Sequence, residues 1–426
     1  MSEEEKKSLQ NFQDFNNSYQ PENEFQVSRI IKEIYKKNLP IEIVGLNSKN
    51  FFGNKIQSAN KLNLSKLSGV IEYFPEERYI KVKACTPLEL IEKKLSQNNQ
   101  ELAFEPIDFG FIKNGKSNKG TIGGYLSCNF SGSRRFKVGS VRDHILGFRG
   151  VNGKGDIIKS GGIVVKNVTG YDLSKLISGS FGTLVALTEV ILKVLPKKKS
   201  SNTIIIHTED TKLVSILFDR IASSSSEVSG AVYVPDEPQK NEYRLNKEKI
   251  FQFNDLKFKG SFLALRLEGD KTSINERTKE LTKELELNKL NISVLDVYQS
   301  ILFWKKINNL ELFENTQNNL LRAVIPPSMG IKLMKYLNNK HKYYIDWCGA
   351  LYWIEVHSKK SMDIIEIKKL IKELNGYLTI VKTSEDYDFK ESIFTIDDTR
   401  LLISKKIKKS FDPKGIFNPG KMYRGI

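Results

Sequence analysis

Glycines cluster around a short predicted helix between Lys166 and Pro196. Gly170 precedes that helix, Gly179 and Gly182 follow it, and the apolar run up to Pro196 is typical of a buried strand. A turn alone needs one glycine. Close approach of the backbone to a bound group favours several, because glycine has no Cβ and tolerates positive φ. The segment therefore predicts a wall against which a ligand packs.

Two earlier segments share this richness in small residues. One is GLNSKNFFG, Gly45–Gly53, which follows a short predicted strand, and the other is TIGGYLSCNFSGSRR, Thr121–Arg135. Each can point several backbone N–H groups at one place, which is the arrangement that binds anions such as phosphate. Each segment alone is compatible with an ordinary turn, but the three in this order indicate one phosphate-containing ligand.

A further glycine motif, Gly110–Ser117, matches the P-loop pattern GxxxxGK[ST] letter for letter. A P-loop needs a buried strand before it and a helix directly after it. Pro106 interrupts the preceding run, and glycines follow where the helix should begin. We interpret the match as coincidental. The chain also lacks GxGxxG, so a Rossmann dinucleotide site is not supported.

Composition narrows the class of protein. A chain of 426 residues is too long for one ordinary core, so we expect two domains. No apolar run is long enough for a transmembrane helix. The three cysteines lie far apart and the four histidines form no metal-binding pair. This pattern favours a reduced, cytoplasmic protein without a metal site.

The net charge of +17 has two interpretations. It could serve binding to nucleic acid or to an anionic membrane, or it could be a solvated lysine surface. The lysines are spread along the whole chain, and no basic and aromatic residues alternate as in an RNA-binding sheet. We therefore favour a solvated lysine surface and expect no nucleic-acid partner. Binding to nucleic acid remains the alternative interpretation of the charge.

Periodicity indicates an α+β protein. It predicts an amphipathic helix over Phe25–Lys37, a strand over Tyr79–Ala84, and a helix that Thr86 caps and that runs to Gln97. From Asn202 onward, the order strand–helix–strand–strand–helix predicts a ferredoxin-like domain. No internal repeat is visible. We expect a mobile tail without a secretory signal over residues 1–22, domains over 23–197 and 198–395, and a C-terminal segment over 396–426 that returns to the first domain.

These segments together resemble the FAD-binding subunits of bacterial glycolate oxidase (GlcE type), within the FAD-linked oxidases of the vanillyl-alcohol oxidase and p-cresol methylhydroxylase (PCMH) type. The resemblance is carried by GLNSKNFFG, TPLELIE, LAFEP, TIGGYLSCNFSGSRR, GSVRDHILGFRG, NVTGYDLSKLISGSFGTL and FDPKGIFNPGKMY. It is dense over about residues 40–196 and 411–423 and thin over 200–395. It implies a two-subdomain PCMH-type FAD-binding fold, with the ferredoxin-like α+β domain as a cap over the flavin.

The resemblance also implies how FAD is held. The implied contacts are Gly45, Asn47, Ser48 and Lys49 in a first pyrophosphate loop, Thr121, Gly123, Gly124 and Ser127 in a second, Asn167, Gly170 and Tyr171 against the adenosine or flavin, Thr183 behind that wall, and Asn418 in the tail. Lys49, Arg134 and Arg142 would suit the diphosphate. No histidine or cysteine stands at a family attachment point, so FAD is expected to be noncovalent.

The implied activity is oxidation of glycolate, a 2-hydroxy acid, to glyoxylate. The implied partners are a catalytic flavoprotein subunit and an iron–sulfur subunit that passes electrons to quinone, with a cytoplasmic location and at most peripheral contact with the inner face of the membrane. The chain has no histidine cluster, so we assign no catalytic residue, and its own flavin could relay electrons or be structural. The alternatives are a free-standing FAD-linked D-2-hydroxy-acid dehydrogenase and a flavin-free scaffold subunit.

Overall fold

A computed structural model describes residues 18–426, apart from residues 57, 164–169, 237–249, 252, 254–257, 259, 339, 359–360, 386–391 and 424 and the side chain of residue 361. Most of the expected N-terminal tail and the proposed FAD contact Asn167 lie outside the described residues. The expected tail ends earlier than residue 22, because Ser18 and Tyr19 pair with Lys61 and Leu62 as a short parallel strand.

The described elements up to residue 197 belong to three small sheets and the helices around them. Their bounds are β1 Ser18–Tyr19, α1 Glu24–Lys37, β2 Ile41–Val44, β3 Asn60–Asn63, β4 Val70–Phe74, β5 Tyr79–Lys83, α2 Leu88–Ser96, β6 Gln100–Glu101, α3 Gly110–Asn114, α4 Ile122–Cys128, α5 Arg135–Val138, α6 Val141–His144, β7 Ile145–Asn152, β8 Ile157–Gly161, α7 Leu173–Ile177, β9 Val185–Lys193 and β10 Leu195–Pro196. The strand orders are β1-β3-β2, β10-β6 and β4-β5-β9-β7-β8.

Helix α1 confirms the predicted amphipathic helix. Asn23 caps it by accepting a hydrogen bond from the Gln26 backbone N–H, at 3.0 Å. Its apolar positions, spaced three and four residues apart, are buried, as Val27, Ile31 and Ile34 illustrate. They pack against the small parallel sheet β1-β3-β2, so the helix fixes the strand from which the first predicted loop departs.

The predicted cap of helix α2 is wrong. Pro87, not Thr86, precedes the first helical residue, and no side chain caps the helix. The Thr86 side chain is fully buried, and its hydroxyl donates to the Lys83 carbonyl at 2.6 Å and accepts from the Gly69 N–H at 2.9 Å. A local turn contact with Lys83 and a tertiary contact with Gly69 therefore occupy the hydroxyl that was expected to cap the helix.

From residue 200 the described strands form one antiparallel sheet of eight strands. The bounds are β11 Ser200–His207, α8 Thr211–Ser223, β12 Gly230–Val234, β13 Phe262–Gly269, α9 Lys271–Glu284, β14 Asn291–Leu295, α10 Val297–Asn308, β15 Asn319–Val324, α11 Gly330–Leu337, β16 Lys342–Asp346, β17 Leu351–Val356, α12 Ser361–Glu373 and β18 Tyr377–Lys382. The sheet order is β14-β11-β13-β12-β16-β17-β15-β18.

This order contains two ferredoxin-like units joined edge to edge. Each unit runs strand–helix–strand–strand–helix–strand and has the spatial order 4-1-3-2, and the two second strands meet at Tyr233 and Ile345. The ferredoxin-like prediction is thus confirmed, and the described topology repeats although the sequence shows no repeat. Helices α8, α9, α11 and α12 cover one face. The other face shares its apolar core with the first 197 residues and with α10.

The C-terminal segment returns to the first sheet, after a last helix, α13, over Asp398–Phe411. Phe417 bridges to Ile41 of β2 in the parallel sense, and the Ile41 N–H donates to the Ile416 carbonyl at 2.8 Å. The segment therefore lies beside the strand that leads into the first predicted loop.

Candidate functional site

A cleft opens where β2 ends, between the start of α4 and the C-terminal segment. It measures about 850 Å³ including its open mouth. Nine of the thirteen predicted FAD contacts line it, namely Gly45, Asn47, Ser48, Lys49, Thr121, Gly123, Gly124, Ser127 and Asn418. The remaining lining residues are Glu42, Ile43, Val44, Leu46, Asn50, Ile56, Leu64, Ala84, Cys85, Cys128, Phe181, Gly182, Val185, Leu187 and Lys421.

The first loop supplies hydrogen-bond donors. Within the described part of the chain, the backbone N–H groups from Gly45 to Ser48 donate to no protein acceptor. Asn47 takes a positive φ of 56°, which turns the chain there. A Cβ on Gly45 would stand 3.1 Å from the Cys85 sulfur and 3.3 Å from the Thr121 hydroxyl. The loop thus lies tightly against α4 and keeps its donors for a ligand in the cleft.

Lys49 places a buried positive charge at the same end of the cleft. Its ammonium donates to the Lys119 carbonyl at 2.8 Å and to the Ser48 hydroxyl at 3.2 Å, and it stands 5.4 Å from the centre of the Tyr125 ring. Burial lowers the pKa of Lys49 below its usual value. The structure gives it no carboxylate partner among the described residues, so an anion in the cleft would favour its protonated form.

The second segment does not form the nest of N–H donors that the sequence predicted. The N–H groups of Ile122 and Gly123 donate to the carbonyls of Thr86 and Ala84, at 3.1 and 2.7 Å. The Gly124 N–H donates to the Thr121 hydroxyl, which caps the helix. These donors are used because α4 begins directly against the end of β5. The glycines instead give a wall without side chains, and Gly124 is exposed in the cleft.

The third segment reaches the cleft only in part. Gly170 and Tyr171 are not among its lining residues, and the Tyr171 side chain is 93% exposed. Thr183 is buried behind the wall, where its hydroxyl donates to the Ser180 carbonyl at 2.7 Å. Gly182 does line the cleft, and a Cβ there would stand 2.7 Å from the Asn418 amide nitrogen.

Asn418 ties three segments together at the cleft. Its side-chain nitrogen donates to the Phe181 carbonyl at 2.9 Å, and its side-chain oxygen accepts from the Ile43 N–H at 2.8 Å. Its own backbone N–H donates to the Ile41 carbonyl at 3.0 Å. The side chain is therefore occupied by protein groups, and Asn418 holds the cleft walls in position.

Sequence reasoning missed that two cysteines line the cleft. Burial raises the pKa of the Cys85 thiol to about 12 and that of the Cys128 thiol to about 11. Both thiols are therefore neutral at physiological pH.

A second buried ammonium, that of Lys421, also lines the cleft. Burial lowers the pKa of Lys421, and its ammonium lies 3.4 Å from the Asn50 carbonyl oxygen. Together with Lys49, it makes the cleft suited to an anionic group.

The expected roles of Arg134 and Arg142 at the diphosphate are not supported by their positions. The Arg134 guanidinium donates to Glu268 at 2.6 and 2.9 Å and to Glu101 at 2.8 Å, in a buried network away from the cleft. Arg142 is exposed, and neither arginine lines the cleft. Arg134 is used because the eight-stranded sheet brings Glu268 against it, a pairing that local sequence does not reveal.

Other site classes find little support. Among the described residues, no group of three His, Cys, Asp or Glu side chains could hold a metal ion. The described helices include none that is long and apolar enough to cross a membrane.

The residues present fit FAD. The diphosphate needs donors and positive charge at the middle of the ligand, which the Gly45–Ser48 N–H groups and the Lys49 ammonium offer. The rings need apolar surface, which Ile56, Leu64 and Val185 offer along the cleft. The cleft also lies beyond the carboxyl end of the parallel strand β2, where ligands bind in many α/β sheets.

Comparison with known proteins agrees with this assignment. Residues 18–161 match the FAD binding domain family. The chain is 28% identical over 394 residues to the glycolate oxidase subunit GlcE of Escherichia coli K12, covering 92% of this chain and 95% of that subunit. It is 25% identical to the glycolate oxidase subunit GlcD of Bacillus subtilis 168, covering 71% and 68%.

The fold is also found in a solved structure. The 4-ethylphenol oxidase from Gulosibacter chungangensis, in complex with isoeugenol, superimposes with a TM-score of 0.67 at 12% identity, over 97% of this chain and 91% of that one. The predicted fold class, a PCMH-type FAD-binding fold with an α+β cap, is thereby confirmed. FAD as the cofactor is confirmed by the match to the FAD binding domain family.

Proposed function

We propose that this chain is the FAD-binding subunit of a complex that oxidises glycolate to glyoxylate. The observation that carries the proposal is the similarity to GlcE over nearly the full length of both chains. The cleft supports it, because it combines the donors, the positive charge and the apolar surface that FAD requires. When bound, FAD supplies the two-electron acceptor.

In this proposal the Gly45–Lys49 loop binds the FAD diphosphate. The N–H groups from Gly45 to Ser48 donate to its oxygens, and the Lys49 ammonium neutralises its charge. Gly123 and Gly124 allow the ligand to approach the backbone of α4 closely. Gly170 and Tyr171 stay predicted contacts, although they stand outside the cleft.

We also propose that FAD is held noncovalently. No histidine is among the described residues that line the cleft, and the two thiols that do line it are kept protonated by burial. A protonated thiol is a poor nucleophile, so neither cysteine is prepared to attack the flavin.

The proposed partners are a catalytic flavoprotein subunit and an iron–sulfur subunit. Removing a hydride from a 2-hydroxy acid needs a base for the hydroxyl proton. Glu42 is the single acidic side chain among the described lining residues, and no histidine joins it. The cleft therefore supports a subunit that passes electrons on, rather than one that carries the chemistry alone. Its proposed location is cytoplasmic, with at most peripheral contact with the membrane.

The test is an absorbance spectrum of the purified chain, expressed alone. We expect flavin bands near about 370 and 450 nm that pass into the supernatant after acid precipitation. Glycolate alone should leave them unbleached, and glycolate together with the catalytic subunit should bleach them. Bleaching by glycolate alone would indicate a free-standing dehydrogenase, and absence of flavin even after co-expression would indicate a scaffold subunit.

A further inference from the structure

Arg322 lies on the face of the eight-stranded sheet that packs against the FAD-binding part of the chain. Its neighbours on β15, Leu321 and Ala323, point into the core on the helix side. Because side chains alternate along a strand, Arg322 points to the opposite face. There it lines a cavity of about 490 Å³, measured like the FAD cleft to include its open mouth, and Cys128 and Phe181 also line it.

This cavity lies at one end of the proposed FAD cleft, because Cys128 and Phe181 line both. Its polar lining also includes Thr379, the partner of Arg322 on β18, together with Asn129 and Tyr423. The cavity is larger than one water molecule requires and is of a size for a small organic acid.

The Arg322 guanidinium has aromatic neighbours but no anionic partner. It makes no hydrogen bond or ion pair with any residue that the structure describes, and its Nε atom is buried without an acceptor. Its Cζ atom lies 4.9 Å from the Trp347 ring centre and 5.4 Å from that of Phe130. Buried guanidinium groups are usually paired with carboxylates, so this one is prepared for a ligand.

The surroundings add positive rather than negative charge. Arg135 stacks on the same Trp347 ring, with its Cζ atom 4.3 Å from the ring centre. Burial and the Arg135 charge lower the pKa of Arg322 to about 9. The side chain of Asp346 on β16 is bound elsewhere, since it accepts from the Ser133 hydroxyl at 2.7 Å and from the Trp347 N–H at 2.6 Å, and burial raises its pKa to about 7.

We propose that Arg322 binds the carboxylate of a small 2-hydroxy or 2-oxo acid in this cavity, beside the end of the FAD cleft. The planar fork of the guanidinium matches a carboxylate in a bidentate pair. The choice of a 2-hydroxy or 2-oxo acid rests on the proposed function, whereas the carboxylate rests on Arg322 itself. This chain then holds a substrate-sized anion site of its own, although its cleft offers no histidine base.

The test uses the purified full-length chain and oxalate, a small carboxylate that the flavin cannot oxidise by hydride removal. Thermal unfolding is followed as oxalate is titrated at constant ionic strength, and the flavin difference spectrum is recorded in parallel. Oxalate should stabilise the wild-type chain in a saturable manner, because it binds only the folded state. The variants are Arg322→Met, Arg322→Lys and, as a control on an exposed arginine, Arg142→Met.

We expect Arg322→Met to weaken the apparent oxalate affinity by about tenfold or more, because a charge-assisted bidentate pair is lost. Arg322→Lys keeps the charge but loses the fork, so it should also weaken binding, and Arg142→Met should bind as the wild type. Without oxalate, Arg322→Met should unfold at a higher temperature than the wild type, because a buried unpaired charge has been removed.

Wild-type affinity in both Arg322 variants would overturn the proposal, and so would the absence of any saturable effect in the wild type. If Arg322→Met fails to fold, the oxalate affinity of Arg322→Lys still tests the proposal. The melting experiment does not depend on flavin. A chain that binds oxalate through Arg322 but no FAD would contradict the proposed function alone, and a chain that binds FAD but not oxalate would contradict this inference alone.

Discussion

At the scale of single residues, Gly120 shows how closely the first loop is packed. It has a φ of +74°, and a Cβ there would stand 2.0 Å from the Ser48 hydroxyl oxygen and 3.0 Å from the Lys49 ammonium. Gly120→Ala should therefore displace both side chains, release FAD more readily and lower the free energy of unfolding by about 1–3 kcal/mol. Urea denaturation and FAD retention on a desalting column measure the two effects.

Gly420 provides a matched control for that substitution. It has a similar φ of +76°, but nothing lies within 4 Å of a Cβ placed there. Gly420→Ala should show the backbone cost alone, about 1–2 kcal/mol, and keep its FAD. Equal loss of FAD in both variants would contradict the steric argument.

Lys49 is a single residue that should make both the stability of the chain and its affinity for FAD depend on pH. Burial lowers its pKa in the folded chain below that of the unfolded chain. Between these two pKa values the unfolded state binds more protons, so the flavin-free chain should become more stable as pH rises through this window. FAD affinity should fall over the same window, because the ammonium that binds the diphosphate is lost.

Lys49→Met should remove part of both trends and weaken FAD binding by about ten- to a hundredfold, the usual contribution of a charge-assisted hydrogen bond. Urea denaturation and FAD titration across pH 7–10 check this. Lys93→Met, at an exposed position on α2, is the control. A pH slope that is identical in wild type and Lys49→Met would exclude Lys49 as its origin.

At the scale of elements, the C-terminal segment depends on Asn418. Its side chain joins β2 to the turn at Phe181, with both contacts under 3 Å. Asn418→Ala leaves the Ile43 N–H and the Phe181 carbonyl without partners, which should cost about 1–3 kcal/mol and loosen FAD binding. Urea denaturation of Asn418→Ala beside Asn291→Ala, an exposed asparagine on β14, measures it. Equal stability of the two variants would contradict the role of Asn418 as a connection.

Elements also show what the sequence could and could not predict. Helix α1 was predictable from its apolar spacing, because the spacing that gives a helix one apolar face is a local property of the sequence. The cap of α2 and the donors at Gly123 were not predictable, because the Thr86 hydroxyl contacts Lys83 and Gly69 and the Gly123 N–H donates to the Ala84 carbonyl. The first loop was predictable since its N–H groups, from Gly45 to Ser48, meet no such competitor among the described residues.

At the scale of the whole molecule, a buried charge network joins the FAD-binding part to the eight-stranded sheet. Arg134 contacts Glu268 of β13, and Arg266 of the same strand donates to Glu105 at 2.7 Å. Partners so distant in the chain cannot be paired from sequence, so the sequence alone leaves Arg134 available to the diphosphate. The same limit hid Arg322, whose surroundings exist only once the sheet packs on the FAD-binding part.

Glu268 carries the last prediction. Although burial alone would raise its pKa, the Arg266 and Arg134 guanidiniums lower it to about 2. A carboxylate with a depressed folded pKa stabilises the protein above its unfolded pKa of about 4.3. That contribution is lost as pH falls toward 2. Glu268→Gln leaves two buried guanidiniums with too little negative charge, so it should lower the free energy of unfolding by about 3–5 kcal/mol at pH 7.

Glu276→Gln, at an exposed position on α9, is the control and should be neutral within about 0.5 kcal/mol. Urea denaturation at pH 7 and pH 3 tests both variants. The gap between wild type and Glu268→Gln should narrow at pH 3, because the carboxylate of the unfolded chain is largely protonated there while that of the folded chain is still charged. A gap that stays constant would mean that packing, rather than the charge of Glu268, joins the two parts of the molecule.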